Sequence, residues 1–178
     1  MHTRFAPGAV AAEIYLGELS ARPIARYNRC GREVSMKVLY TADVTATGAR
    51  SGHAVSSDNL LDVKLALPPG LGGSGGATNP EQLFGAGYAA CFGGAVEYLA
   101  AQRKIRTGTV TVKARVDIGP YDPGEGEGFT LAVALDVTLP ELDQAAAEEL
   151  VSAAHRTCPY SNATRNNIPV TLTAHGGR

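Results

Sequence analysis

Tryptophan is absent from the 178 residues, methionine occurs twice, and cysteine only three times, at Cys30, Cys91 and Cys158. An odd and sparse cysteine count excludes a small secreted scaffold stapled by disulfides and directs attention to individual thiols. No charge of one sign dominates, since 16 Lys+Arg face 17 Asp+Glu for a net charge of -1. Without a basic stripe or an acidic tail, nothing attracts nucleic acid or an anionic membrane. Long apolar runs are also lacking, and none reaches the roughly 18 residues of a spanning helix. Glu13 and Glu18 interrupt any signal-like core near the start. These absences predict a cytoplasmic protein with a small neutral substrate and no nucleic-acid or membrane partner. One domain is the expectation at this length.

Histidine is scarce as well. His2, His53, His155 and His175 are scattered, no C-x-x-C occurs, and only His155 with Cys158 has an i, i+3 ligand spacing. Two candidate donors do not make a metal site, so none is expected. Two formal motif matches lack their structural context. GGSGG at 72–76 fits the nucleophile elbow, but Pro68 and Pro69 precede it where a strand is required. GAGYAA at 85–90 fits a dinucleotide fingerprint, but it lies inside a helical pattern. Asn162-Ala163-Thr164 matches a glycosylation acceptor, which is irrelevant without a secretion signal.

What is present organises the chain from Met36 onward. Residues 1–35 carry Arg4, Arg22, Arg26, Arg29 and Arg32 without a sustained period and read as an extension to a domain at 36–178. Alternation over Lys37 to Thr47, and Leu61, Val63, Leu65 and Leu67 on one face, predict two strands joined by the turn TGARSG. The Gly/Pro-rich loop PPGLGGSGGATNP ends in a helix start, with Asn79 as N-cap, Pro80 at the first helical position and Gln82 at the third. The helix should run to about Arg103, apolar nearly all round, and so lie in the core or between subunits. Thr109 to Gly119 and Phe129 to Leu139, joined by GPYDPGEGEG, predict a hairpin. A second helix capped by Asp143 should stop at Pro159, just past Cys158, and a last strand should span Val170 to Thr173. The order ββ, α, ββ, α, β predicts α+β architecture with antiparallel pairing.

Three segments then stand out: ATGARSG with Arg50, TNPEQLFGAGYAACF with Glu81 and Cys91, and HRTCPYSNATRNN with Cys158. They resemble the signature segments of organic hydroperoxide resistance (Ohr) proteins of the Ohr/OsmC family, and the resemblance runs from Met36 to about Thr173. It implies antiparallel sheets around a central buried helix in an intertwined homodimer. It further implies Cys91 as peroxidatic cysteine, Cys158 as resolving cysteine, Arg50 as activating arginine and Glu81 as its partner. Cys30 has no counterpart. Ohr proteins commonly carry a second glycine just before the arginine and an acidic residue just after it, where this chain has Ala49 and Ser51.

The chemistry accounts for these residue types. An unperturbed thiol, with pKa of about 8.5, is only slightly ionised near neutrality, and a fixed guanidinium raises the thiolate fraction. A carboxylate can hold that guanidinium through two parallel hydrogen bonds. Attack on a peroxide leaves a sulfenic acid, which a second thiol converts to a disulfide. The resemblance implies reduction of that disulfide by an external dithiol, dihydrolipoamide or a lipoylated protein, with no bound cofactor or metal. Phe84, Tyr88 and Phe92 on the cysteine helix are the expected apolar wall for an alkyl, aryl or fatty-acid hydroperoxide.

Helix geometry adds a constraint. If the helix from Pro80 is continuous, Glu81 and Cys91 lie about 15 Å apart along its axis. Glu81 would then serve the Cys91 of a second chain, and a break at Gly85 or Gly87 is the alternative. The rival function is a non-enzymatic peroxide or electrophile sensor using the same thiols, although no helix-turn-helix output module is evident. A papain-like thiol hydrolase is the weaker rival, for want of a distinctive histidine.

Overall fold

Three short segments, VTAT, HAVS and DVK, each with at least one valine, build a small antiparallel sheet from Val44–Thr47 (β1), His53–Ser56 (β2) and Asp62–Lys64 (β3). The structure, a computed structural model, describes residues 37–177. It divides into the units Met1–Thr41 and Ala42–Arg178. Of the first unit only residues 37–41 are described, and they hold no helix or strand. The expected extension at 1–35, with Cys30, lies outside the described residues.

The predicted strand from Lys37 is therefore corrected to Val44–Thr47. A strand needs a partner, and the register Val44↔Ser56 to Thr47↔His53 ends where the chain turns away through Asn59, at φ 60°. β2 was not expected, because four residues are too few to display an alternation.

Helix α1 spans Pro80–Arg103 without a break. Asn79 Oδ1 accepts the Gln82 N–H at 2.9 Å, a cap that contributes about 1 kcal/mol. One face buries Gly85, Tyr88, Phe92, Ala95, Val96 and Ala100. The opposite face leaves Ala86, Ala90, Gly94, Tyr98 and Ala101 exposed, so a helix with an almost uniformly apolar surface is only half covered by the described residues.

The second sheet, in the order β4-β5-β6, consists of Thr111–Pro120, Phe129–Leu139 and Val170–Gly176. β4 and β5 form the expected antiparallel hairpin. β5 and β6 pair in parallel, from Val133↔Val170 to Leu139↔Gly176, which corrects the expectation of antiparallel pairing throughout. The cause is the intervening crossover, formed by α2 (Gln144–Thr157) and α3 (Pro159–Thr164), which carries the chain back to the start of β5. Asp143 caps α2 as expected, with Oδ1 accepting the Ala146 N–H at 2.8 Å.

Val133, Leu135, Val137 and Leu139, two apart on β5, point into the core. They meet Tyr88, Phe92 and Val96 of α1 and Ala147, Leu150, Val151 and Ala154 of α2. Each large side chain so enclosed contributes about 1.5–3 kcal/mol through lost contact with water. The result is an α+β fold in which α1 and α2 lie against the β4-β5-β6 sheet, with the cysteines at their contact.

Candidate active site

Cys91 lies on the fourth turn of α1 and is half-buried, whereas Cys158 is fully enclosed. Pro159, lacking an N–H, cannot continue α2, yet suits the first position of a new helix. Cys158 consequently occupies the corner. Its N–H donates to the Ala154 carbonyl at 2.8 Å, closing α2, and its carbonyl accepts the Asn162 N–H at 3.0 Å, opening α3. The sequence showed only the stop at Pro159, and α3 was missed. The corner brings Cys158 Sγ to 3.6 Å from Cys91 Sγ, a contact between two free thiols.

Burial pushes the Cys91 thiol above its ordinary pKa. The Tyr160 backbone N–H, bonded to the Cys91 thiol, opposes this, and Cys158 adds to the rise. Among the described residues no cation takes part in the shift. Among the described residues the Cys91 thiol thus lies within reach of Cys158, and no charged group lowers its pKa.

The expected activating pair, Arg50 and Glu81, is built at the N-terminal end of α1. Gly48 (φ 77°) and Ala49 (φ 52°) turn the chain through the left-handed region and aim Arg50 at the helix start. Arg50 Nη1 and Nη2 donate to Glu81 Oε2 and Oε1 at 3.0 and 2.7 Å, the two-pronged pair expected of these residues. The Glu81 carboxyl is held below its ordinary 4.5, first by its hydrogen bonds from Arg50. Because the folded value is lowered, the pair is fully formed above pH 4.5 and is lost only as pH falls toward the lowered value.

Ala49 occupies the position where the resembling proteins carry glycine, and a side chain at positive φ is strained. Ala49→Gly should raise stability by roughly 1 kcal/mol in urea unfolding, and an unchanged or lower midpoint would remove the strain argument. Gly52 closes the same turn by necessity, since a Cβ there would fall 1.7 Å from the Thr47 carbonyl oxygen.

The unbroken helix leaves the Glu81 and Cys91 backbones about 15 Å apart along the axis of α1. The four expected catalytic residues accordingly fall into two pairs, Cys91 with Cys158 and Arg50 with Glu81, and the folded-back alternative at Gly85 or Gly87 is not adopted.

The expected apolar wall is corrected in part. Tyr88 and Phe92 are completely buried and belong to the core. Phe84 is half-buried and lines a concavity of about 390 Å³ with Arg50, Glu81, Ile118, Phe129 and Leu131. An adjoining apolar hollow is lined by Arg50, Leu67, Leu71, Ile118 and Phe129. Phe129, 69% exposed at the start of β5, was legible only as a strand residue. Among the described residues no cluster of three His, Cys, Asp or Glu side chains could hold a metal ion, and no helix is long and apolar enough to cross a membrane.

These features have counterparts in known proteins. The family model for OsmC-like proteins matches residues 73–173. An organic hydroperoxide resistance protein of Xanthomonas axonopodis pv. citri is 57% identical over 139 residues, covering 77% of this chain and 95% of its own length. The organic hydroperoxide resistance protein OhrB of Bacillus subtilis is 46% identical over 134 residues, covering 75% and 96%. The crystal structure of an organic hydroperoxide resistance protein from Legionella pneumophila aligns with a TM-score of 0.74 at 47% identity, covering 78% of this chain and 99% of that one. The chain belongs to the OsmC-like family and, within it, to the organic hydroperoxide resistance proteins.

Proposed function

We propose that this protein is a cysteine-based peroxidase that reduces organic hydroperoxides to alcohols in the cytoplasm. The observation that carries the reading is the contact of two free thiols of unequal burial, Cys91 half-buried and Cys158 enclosed, at 3.6 Å. The Cys91 thiolate attacks the peroxide, its sulfur bonds to one oxygen, the O–O bond breaks, and the alcohol departs with a proton. Cys158 then attacks the sulfenic acid, forming the disulfide and releasing water. A dithiol, dihydrolipoamide or a lipoylated protein, returns both thiols by exchange and leaves as its own disulfide. Electrons come from that external reductant, so neither metal nor bound cofactor is required.

Activation of Cys91 calls for a cation, and among the described residues none acts on its thiol. A homodimer supplies it when Arg50 and Glu81 of the partner subunit approach Cys91. The exposed Ala86, Ala90, Gly94 and Tyr98 face of α1 supports such a contact, because small side chains permit close approach. The concavity beside Arg50 then receives the organic group of the hydroperoxide. Its apolar lining by Phe84, Ile118 and Phe129 favours alkyl, aryl or fatty-acid substituents over hydrogen peroxide.

Reduced protein mixed with tert-butyl or cumene hydroperoxide and excess dihydrolipoamide should consume many peroxide equivalents per chain. Consumption of a single equivalent would identify a sensor instead.

A further inference from the structure

Tyr88 is left unexplained by this chemistry. Fully enclosed one turn before Cys91, it carries a phenol oxygen that must find partners, since an unpaired buried hydroxyl is costly. Its oxygen lies 2.9 Å from Ser161 Oγ and 3.1 Å from Thr164 Oγ1, both on α3. Ser161 is also fully buried, and its Oγ lies 3.0 Å from His155 Nδ1 on α2. One hydroxyl therefore joins the three helices that carry or flank the two cysteines. Cys158 sits midway, three residues after His155 and three before Ser161.

On the peroxidase reading above, we propose that Ser161, held by Tyr88 and His155, is a positioning residue for the resolving step. The sulfurs stand at 3.6 Å and must close to about 2.05 Å with a defined torsion. Apolar packing of α3 on α1 tolerates sliding, whereas hydrogen bonds fix direction and distance. The bonds at Ser161 hold the corner that bears Cys158 against the helix that bears Cys91. In the step they serve, the Cys158 sulfur attacks the Cys91 sulfenic sulfur. The S–S bond forms, the S–O bond breaks, and hydroxide leaves with the Cys158 proton as water. Neither Ser161 nor Tyr88 hydrogen-bonds to either sulfur, and in the peroxide attack on Cys91 no bond to Cys158 forms or breaks.

The test separates the two steps in single-turnover reactions with cumene hydroperoxide. Sulfenic acid is trapped with dimedone, and disulfide is counted by alkylation and mass spectrometry. Ser161→Ala removes one oxygen, and Tyr88→Phe keeps the ring in place. Each should form sulfenic acid at the wild-type rate and form the disulfide about tenfold more slowly. With excess peroxide, Cys91 sulfinic acid should accumulate in both. The double variant should be slowed by less than the product of the two single effects, because the changes share the Tyr88–Ser161 contact while each also removes one bond of its own, to His155 or to Thr164. Wild-type rates of disulfide formation in both variants would overturn the proposal, as would equal slowing of both steps, the mark of general loosening. Wild-type protein that forms no sulfenic acid would instead defeat the peroxidase reading, and the inference with it.

Discussion

Cys91→Ser should lower steady-state reduction of tert-butyl hydroperoxide by about a thousandfold or more, to background, because a serine hydroxyl is not an effective nucleophile toward peroxide at neutral pH. The substitution replaces sulfur by oxygen at a half-buried position and leaves the apolar face of α1 intact, so the loss should come without a comparable loss of fold. Cys158→Ser should behave differently. It retains the attacking thiol and consumes one peroxide equivalent per chain, then stops as a sulfenic acid or proceeds to sulfinic acid. The two outcomes are read by peroxide consumption and intact mass on the same samples. Full turnover in Cys91→Ser would sink the assignment of roles. Equal and complete inactivity of the two variants, with no sulfur oxidation in Cys158→Ser, would contradict the order in which the thiols act.

The second large effect is expected at Arg50. Arg50→Ala should slow the first attack by about a hundredfold, the usual consequence of removing a fixed charge that stabilises a reacting anion. It should also raise the thiolate pKa of Cys91, because burial, which already pushes that thiol up within its own chain, would then stand unopposed by any cation. Glu81→Gln should have a smaller effect of the same sign, since an amide can accept from the guanidinium but carries no charge to hold it. Thiolate titration by ultraviolet absorbance and pre-steady-state oxidation read these effects separately. An unchanged Cys91 titration in Arg50→Ala would show that the arginine acts only on the peroxide or not at all.

Much of this arrangement was legible in the sequence, and the parts that were not have physical reasons. Asn79-Pro80 with Gln82 marked the start of α1, and Asp143 marked that of α2, because capping is a local interaction between near neighbours. The β4–β5 hairpin was legible for the same reason, as two long alternating runs with one loop. The parallel pairing of β5 with β6 was not, since it depends on where a crossover delivers the chain. Pro159 read only as an end, yet it also begins α3, because a residue that cannot continue one helix suits the first position of the next. The aromatic residues of α1 divided unexpectedly, because only the packed structure distinguishes Phe84, facing the Arg50 concavity, from Tyr88 and Phe92 inside the core. The separation of Glu81 from Cys91 was available in advance from helical rise alone, once the helix was taken as continuous.

The claim on which the rest depends is that Cys91 of one chain and Arg50 with Glu81 of another form one peroxide-reducing site. Co-expression of Cys91→Ser and Arg50→Ala chains with different tags, followed by purification through both tags, isolates the mixed dimer. Each homodimer is defective, but in the mixed dimer one cross-subunit site has both residues intact and the other has neither. Activity restored to about half the wild-type value per dimer is the expected result. A mixed dimer as inactive as its parents would mean that each chain uses its own arginine, and would contradict the shared site.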